Sequence, residues 1–173
     1  MWSRRALLTG IAGIGAVGAL NGCGFRPLYG RSGGGDLSEA LARVEIGPIP
    51  DRVGQLVRNA LLDGLRPRGA SSYPAFRLDV DVQESISSLA VRKSANATRA
   101  DLNLSGTFIL RDFSTGTELL SGTSQAISSY NILNSEFTTL MSEKGARDRA
   151  ARQLADDIRL KIATFLKTHS AKG

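Results

Sequence analysis

Apolar and polar residues alternate with period two through Phe76, Leu78, Val80 and Val82, which are separated by Arg77, Asp79, Asp81 and Gln83; Ile86 resumes the pattern after Glu84. Alternation of this kind predicts a strand with one face on a core and the other in water. Leu102, Leu104, Gly106, Phe108 and Leu110 repeat it, and Ser114-Thr115-Gly116 supplies a turn into a third long strand over 118–130. Two consecutive hairpins predict an antiparallel meander.

Elsewhere the period lengthens. Val53, Val57, Ala60/Leu61 and Gly64/Leu65 share one face at helical spacing, with Asp51 placed to cap the start and Arg66-Pro67 to end the helix. Ala151, Ala155, Ile158, Ile162 and Phe165 recur at steps of four and three, the buried stripe of a long last helix with a basic end. Val44, Ile46 and Ile49, within 41–49, predict a short strand bounded by Pro48 and Pro50, which suit an edge position. Residues 131–142 show no clear period and read as a connection. The predicted order, β-α-β-β-β-α, is an α+β fold with two helices packed on one face of a mostly antiparallel four-stranded sheet.

The start of the chain is different in kind. Arg4 and Arg5 precede a short apolar run from Ala6 to Leu20, followed by Asn21-Gly22-Cys23. These are the parts of an export signal, and the run is too short for a permanent span. Gly10, Gly13, Gly15 and Gly18 also make it a poor soluble helix. Leu20-Asn21-Gly22-Cys23 resembles the lipobox of bacterial lipoproteins, which implies cleavage before Cys23 and acylation of its thiol. The expected organisation is a signal peptide over 1–22, an acylated N-terminus and Gly-rich tether over 23–37, and one α+β domain over 38–173.

Composition narrows the function classes. At 42% hydrophobic and 22% charged residues the chain is an ordinary globule, and removing Arg4 and Arg5 lowers the net charge from +6 to +4. That excess suits anionic lipid or sugar phosphate. No basic block is interleaved with aromatics, so no nucleic-acid partner is expected. Cys23 is the single cysteine, so no disulfide forms within the chain. The single histidine, His169, lies in the tail, no Gly-x-Ser-x-Gly occurs, and Asp79 and Asp81 share a strand face with Arg77 and Gln83. A non-enzyme without metal or cofactor is the expectation. The polar loop over 90–100, with Arg92, Lys93 and Arg99, is either plain solvated surface or a binding surface at a hairpin tip.

Cys23-Gly24-Phe25-Arg26-Pro27-Leu28-Tyr29 closely resembles the start of the mature LptE lipoproteins of Gram-negative outer membranes, and the order of elements agrees more loosely to about residue 168. The resemblance implies an outer-membrane lipoprotein, anchored through Cys23, that associates with an LptD-like β-barrel and assists lipopolysaccharide (LPS) assembly. Thr98-Arg99-Ala100-Asp101 resembles an arginine-containing strand start in that family, where basic residues at this tip contact LPS. That makes Arg99 the first candidate, with Arg92 and Lys93 added by position alone. Phe25, Leu28 and Tyr29, large groups just beyond the anchor, are candidates for docking on the partner, with insertion into the lipid interface as the alternative. An auxiliary lipoprotein of a phospholipid-transport system is the competing function.

Overall fold

In the computed structural model, which describes residues 34–66, 69, 71, 73–89 and 98–170, the chain forms seven elements. In order they are α1 (Gly34–Ala42), β1 (Val44–Ile46), α2 (Asp51–Leu65), β2 (Phe76–Leu89), β3 (Thr98–Asp112), β4 (Glu118–Ile132) and α3 (Glu136–Ser170). The sheet order is β1-β2-β3-β4. β2, β3 and β4 form the predicted antiparallel meander, in which Leu78 faces Leu110, Val80 faces Phe108 and Leu104 faces Ala126. β1 pairs with β2 in parallel over three residues only, and α2 makes the crossover that parallel pairing needs.

Alternate strand residues face the helices, and most of them along β3 are buried. Val44, Ile46, Leu78, Leu102, Leu104, Phe108, Leu110 and Ala126 are buried beneath α2 and α3, which contribute Val57, Leu61, Leu65, Ala150, Leu154, Ile158 and Ile162. Each fully buried Leu, Ile or Phe contributes about 1.5–3 kcal/mol relative to exposure. Gly106 lets α3 come close to the sheet: a β-carbon there would lie 3.2 Å from Leu154 Cδ2. The opposite face of the meander is open and polar. On it Arg111 donates to Asp79 at 2.6 Å, Arg77 donates to the same carboxylate at 3.1 Å, and Gln125 donates to Asn103 at 2.9 Å.

The expected α+β architecture is present, and the differences are local. Leu41, expected in the first strand, belongs to α1, where Leu37 and Leu41 are buried one turn apart; the strand itself is only Val44–Ile46. α1 also begins at Gly34, inside the stretch read as tether. Asp51 makes no side-chain cap. Pro50 occupies the cap position, and Asp51 itself has a φ of 66°. Nearby carbonyls are taken instead by Gln55, which donates to Ile49 O at 2.6 Å, and Arg58, which donates to Gly47 O at 3.3 Å. Arg66 reaches across to the carbonyl of Val44. α3 starts at Glu136, within the stretch that shows no period in sequence. Its buried stripe runs through Leu154 and Leu166, while Phe165 stacks on His169 with ring centroids 4.0 Å apart.

Among the described residues, no helix is long and apolar enough to cross a membrane.

Candidate functional site

The end of the sheet where β3 begins and β4 stops, together with the first turns of α3, encloses an open cleft of about 390 Å³. Arg99, Ser129, Asn131, Leu133, Ser142 and Arg149 line it, with Tyr130 beside them. Strand parity explains the first three: Arg99 pairs with Asn131, and Asp101, one step along, pairs with Ser129. Helical spacing explains the last two. Ser142 and Arg149 are two turns apart, and Gly145 lies between them on the same side. A side chain at Gly145 would approach Arg149 Nη1 to 3.3 Å, so the glycine leaves room for the guanidinium to fold back along the helix.

These groups are linked. Arg149 donates to the Ser129 carbonyl at 3.3 Å, Ser129 Oγ donates to Asp101 at 2.5 Å, and Arg99 stands 3.9 Å from the same carboxylate. Two guanidiniums thus face one cleft, and Asp101 answers only one of them, at long range. With Asn131 and Ser142 adding amide and hydroxyl groups, the cleft is chemically suited to an oxyanion on a hydroxylated body, such as a sugar phosphate. Burial, reinforced by Glu143, pushes the Tyr130 phenol above its ordinary pKa, so it stays protonated at neutral pH.

Behind the cleft, Arg147 ties α3 to β2. Its Nε and Nη2 donate to Glu84 at 2.8–3.1 Å, and Nη2 also contacts Glu143 at 2.5 Å. The hydrogen bonds it donates to Glu84 hold this guanidinium more firmly protonated than usual. Lower down, Lys161 donates to Thr123 O at 2.7 Å and Ser124 Oγ at 2.9 Å. It also pairs with Asp157 at 2.9 Å, which holds that carboxyl below its ordinary range, with Ser124 assisting.

Of the residues predicted from sequence, Arg99 is in the cleft and largely exposed. Cys23, Phe25, Leu28, Tyr29, Arg92 and Lys93 lie outside the described residues. Sequence reasoning missed Arg149, Asn131 and Ser142. Gly145 was the one available signal, because a glycine in a helix interior costs about 1 kcal/mol and calls for a spatial reason. Among the described residues, no group of three or more His, Cys, Asp or Glu could hold a metal ion.

A meander with two helices on one face, a polar open face and a cationic cleft at its tip defines a small α+β domain. The fold is similar to that of a putative lipoprotein from Caulobacter crescentus CB15, at 24% identity and a TM-score of 0.65, over 78% of this chain and 97% of that one. It is also similar to a minor lipoprotein from Acinetobacter baumannii (19% identity, TM-score 0.53, 70% and 90% covered). A third similar structure is the rare lipoprotein B of Shewanella oneidensis (15%, 0.53, 73% and 98%). No curated protein matches the sequence. The sequence model of the LptE family, described as lipopolysaccharide-assembly, matches residues 41–162, well over half of the chain. The chain belongs to the LptE family.

Proposed function

We propose that this protein is a non-catalytic outer-membrane lipoprotein that seats against an LptD-like β-barrel and contacts LPS during its assembly at the outer leaflet. The observation that carries the reading is the two-sidedness of the sheet. One face is filled by α2 and α3, while the other presents Arg77, Asp79, Asn103, Arg111 and Gln125 to solvent. A polar face suits the polar interior of a large membrane barrel better than it suits lipid. The cleft at the tip adds two arginines where a phosphorylated sugar headgroup would be met, and Arg92 and Lys93 would add charge from the adjoining loop. Cys23 would carry the acyl anchor. Phe25, Leu28 and Tyr29, next to it, would dock on the partner.

Co-purification from detergent tests this. A stoichiometric outer-membrane barrel is the expected companion, and Cys23→Ala should release the protein from the membrane fraction. Recovery of an inner-membrane transporter in place of a barrel would refute the proposal in favour of phospholipid transport.

A further inference from the structure

The end of the sheet opposite the cleft leaves two aromatic rings in solvent: Tyr73 is 80% exposed and Phe113 46%. Tyr73 comes three residues before β2 and Phe113 directly after β3. The backbone brings them near each other. Phe113 N donates to Ala75 O at 2.9 Å, and Tyr73 is two residues from Ala75, at most about 7 Å along the chain. Both stand on fixed supports. Tyr73 N donates to Ser71 Oγ at 3.3 Å, and Arg43 Nε donates to Tyr73 O at 3.4 Å. Beyond Phe113, Gly116 N closes the turn onto Asp112 O at 2.9 Å. Rings held this way lose little freedom when something covers them. The charges around them are answered: Arg77 and Arg111 share Asp79, Glu45 lies across from Arg77, and Glu118 lies across from Arg111.

This is also the end at which the chain enters the domain. Arg43, where α1 gives way to β1, accepts through its carbonyl from Ala75 N at 2.9 Å. Eleven residues separate Cys23 from Gly34, the start of α1, and they reach at most about 40 Å. α1 adds about 13 Å. The cleft lies about 45 Å farther on, the length of β2.

We infer that Tyr73 and Phe113 form a foot that rests in the headgroup region of the bilayer carrying the acyl anchor, with the cleft end directed away from it. The inference rests on the anchor of the proposed function and adds to it which end of the domain meets lipid. Aromatic rings concentrate at the boundary between water and hydrocarbon. A short leash raises the effective concentration of that surface to the order of millimolar, so even a weak contact forms. Because the neighbouring arginines are matched by carboxylates, the foot recognises the interface itself and does not require anionic lipid.

Trp2 is the single tryptophan and precedes Cys23, so a tryptophan placed in the domain reports alone after cleavage. The test reconstitutes the acylated full chain in phosphatidylcholine vesicles whose acyl chains are brominated near the headgroup. Tyr73→Trp and Phe113→Trp should each give blue-shifted emission that the bromines quench. Ile127→Trp, at a position 57% exposed on the open face toward the cleft end, should be neither shifted nor quenched. Adding Tyr73→Ser to the Phe113→Trp chain should restore most of its emission. These positions are exposed, and circular dichroism checks that each variant folds. Equal quenching at 127, or none at 73 and 113, overturns the inference. Quenching that appears only when phosphatidylglycerol is added overturns it too, since the arginines would then be making the contact. Rings that lipid leaves unquenched but a co-purified barrel shields from iodide reassign the foot to a protein contact, which also overturns it. Quenching at 73 and 113 with no barrel among the co-purified proteins supports the foot and sinks the proposed function, whereas a barrel without quenching does the reverse.

Discussion

Replacing Arg147 with Met keeps the length of the side chain and removes the guanidinium, leaving Glu84 and Glu143 together against α3 with no cation between them. The side chains are 25%, 20% and 23% exposed for Arg147, Glu84 and Glu143, so the group lies between two regimes. Breaking a fully buried pair costs about 3–5 kcal/mol, whereas exposed pairs are worth about 0–1. Three hydrogen bonds to one carboxylate favour the upper part of that interval, and a quarter of solvent exposure lowers it. We expect Arg147→Met to cost about 2–3 kcal/mol. For a chain of this size that corresponds to a fall in melting temperature of about 4–12 °C. Urea denaturation followed by circular dichroism measures it, and a double-mutant cycle with Glu84→Gln isolates the pair. The coupling should be about 1–2 kcal/mol, because once Glu84 is neutral the arginine has less to lose. Arg147→Lys should recover only part of the stability, since an ammonium cannot repeat the forked contact. A cost below about 0.5 kcal/mol, or additivity within about 0.3, would show that the contacts are surface ornament and that α3 is held by its apolar stripe alone.

Three further outcomes follow from the packing. Gly106→Val should destabilise by about 1–3 kcal/mol through collision with Leu154, and Leu154→Ala in the same chain should relieve part of that loss, both read by urea denaturation. Lys161→Met should cost about 1 kcal/mol and speed amide exchange on β4 near Thr123, because its half-exposed ion pair contributes little and its bonds to the strand contribute the rest. Asp112 accepts from the Ser114 hydroxyl and from the backbone N–H groups of Thr115 and Ser114, which hold its pKa at about 2. A depressed carboxyl stabilises the turn above its unfolded pKa and loses that contribution as pH falls through about 2. Asp112→Asn should therefore flatten the pH dependence of turn stability, measured by amide exchange, between pH 4 and 2.

The meander was legible because each strand buries one face and wets the other, so Phe76 to Gln83 carries its own register. α1 was hidden for the opposite reason. Gly34 and Gly35 are poor helix formers, and the helix exists because Leu37 and Leu41, one turn apart, are both buried. The opening turns of α3 were read as a connection because Phe137, Leu140 and Met141 do not continue the core-facing stripe; a helical period can be heard only where the core repeats it. Arg99 was reachable through a local resemblance. Its companion Arg149 sits on another element and joins it only through the pairing of β3 with β4, which no window of sequence displays.

The two borders of the sheet are defended unequally. Thr123 and Ser129, both odd-numbered positions on β4, have their carbonyls taken by Lys161 and Arg149 of α3, so that margin offers little to an incoming chain. Among the described residues, the far margin has no such guard: β1 pairs only with Phe76, Arg77 and Leu78, and from Asp79 onward β2 has no described strand neighbour on its outer side. Such a margin is a template for stray self-association, and here Asp81, Gln83, Glu84 and the serines at 85, 87 and 88 make it too polar to zip readily. Conversion of Ser85 and Ser87 to valine would remove that discouragement, and the altered protein should form thioflavin-positive aggregates at concentrations where the parent stays clear.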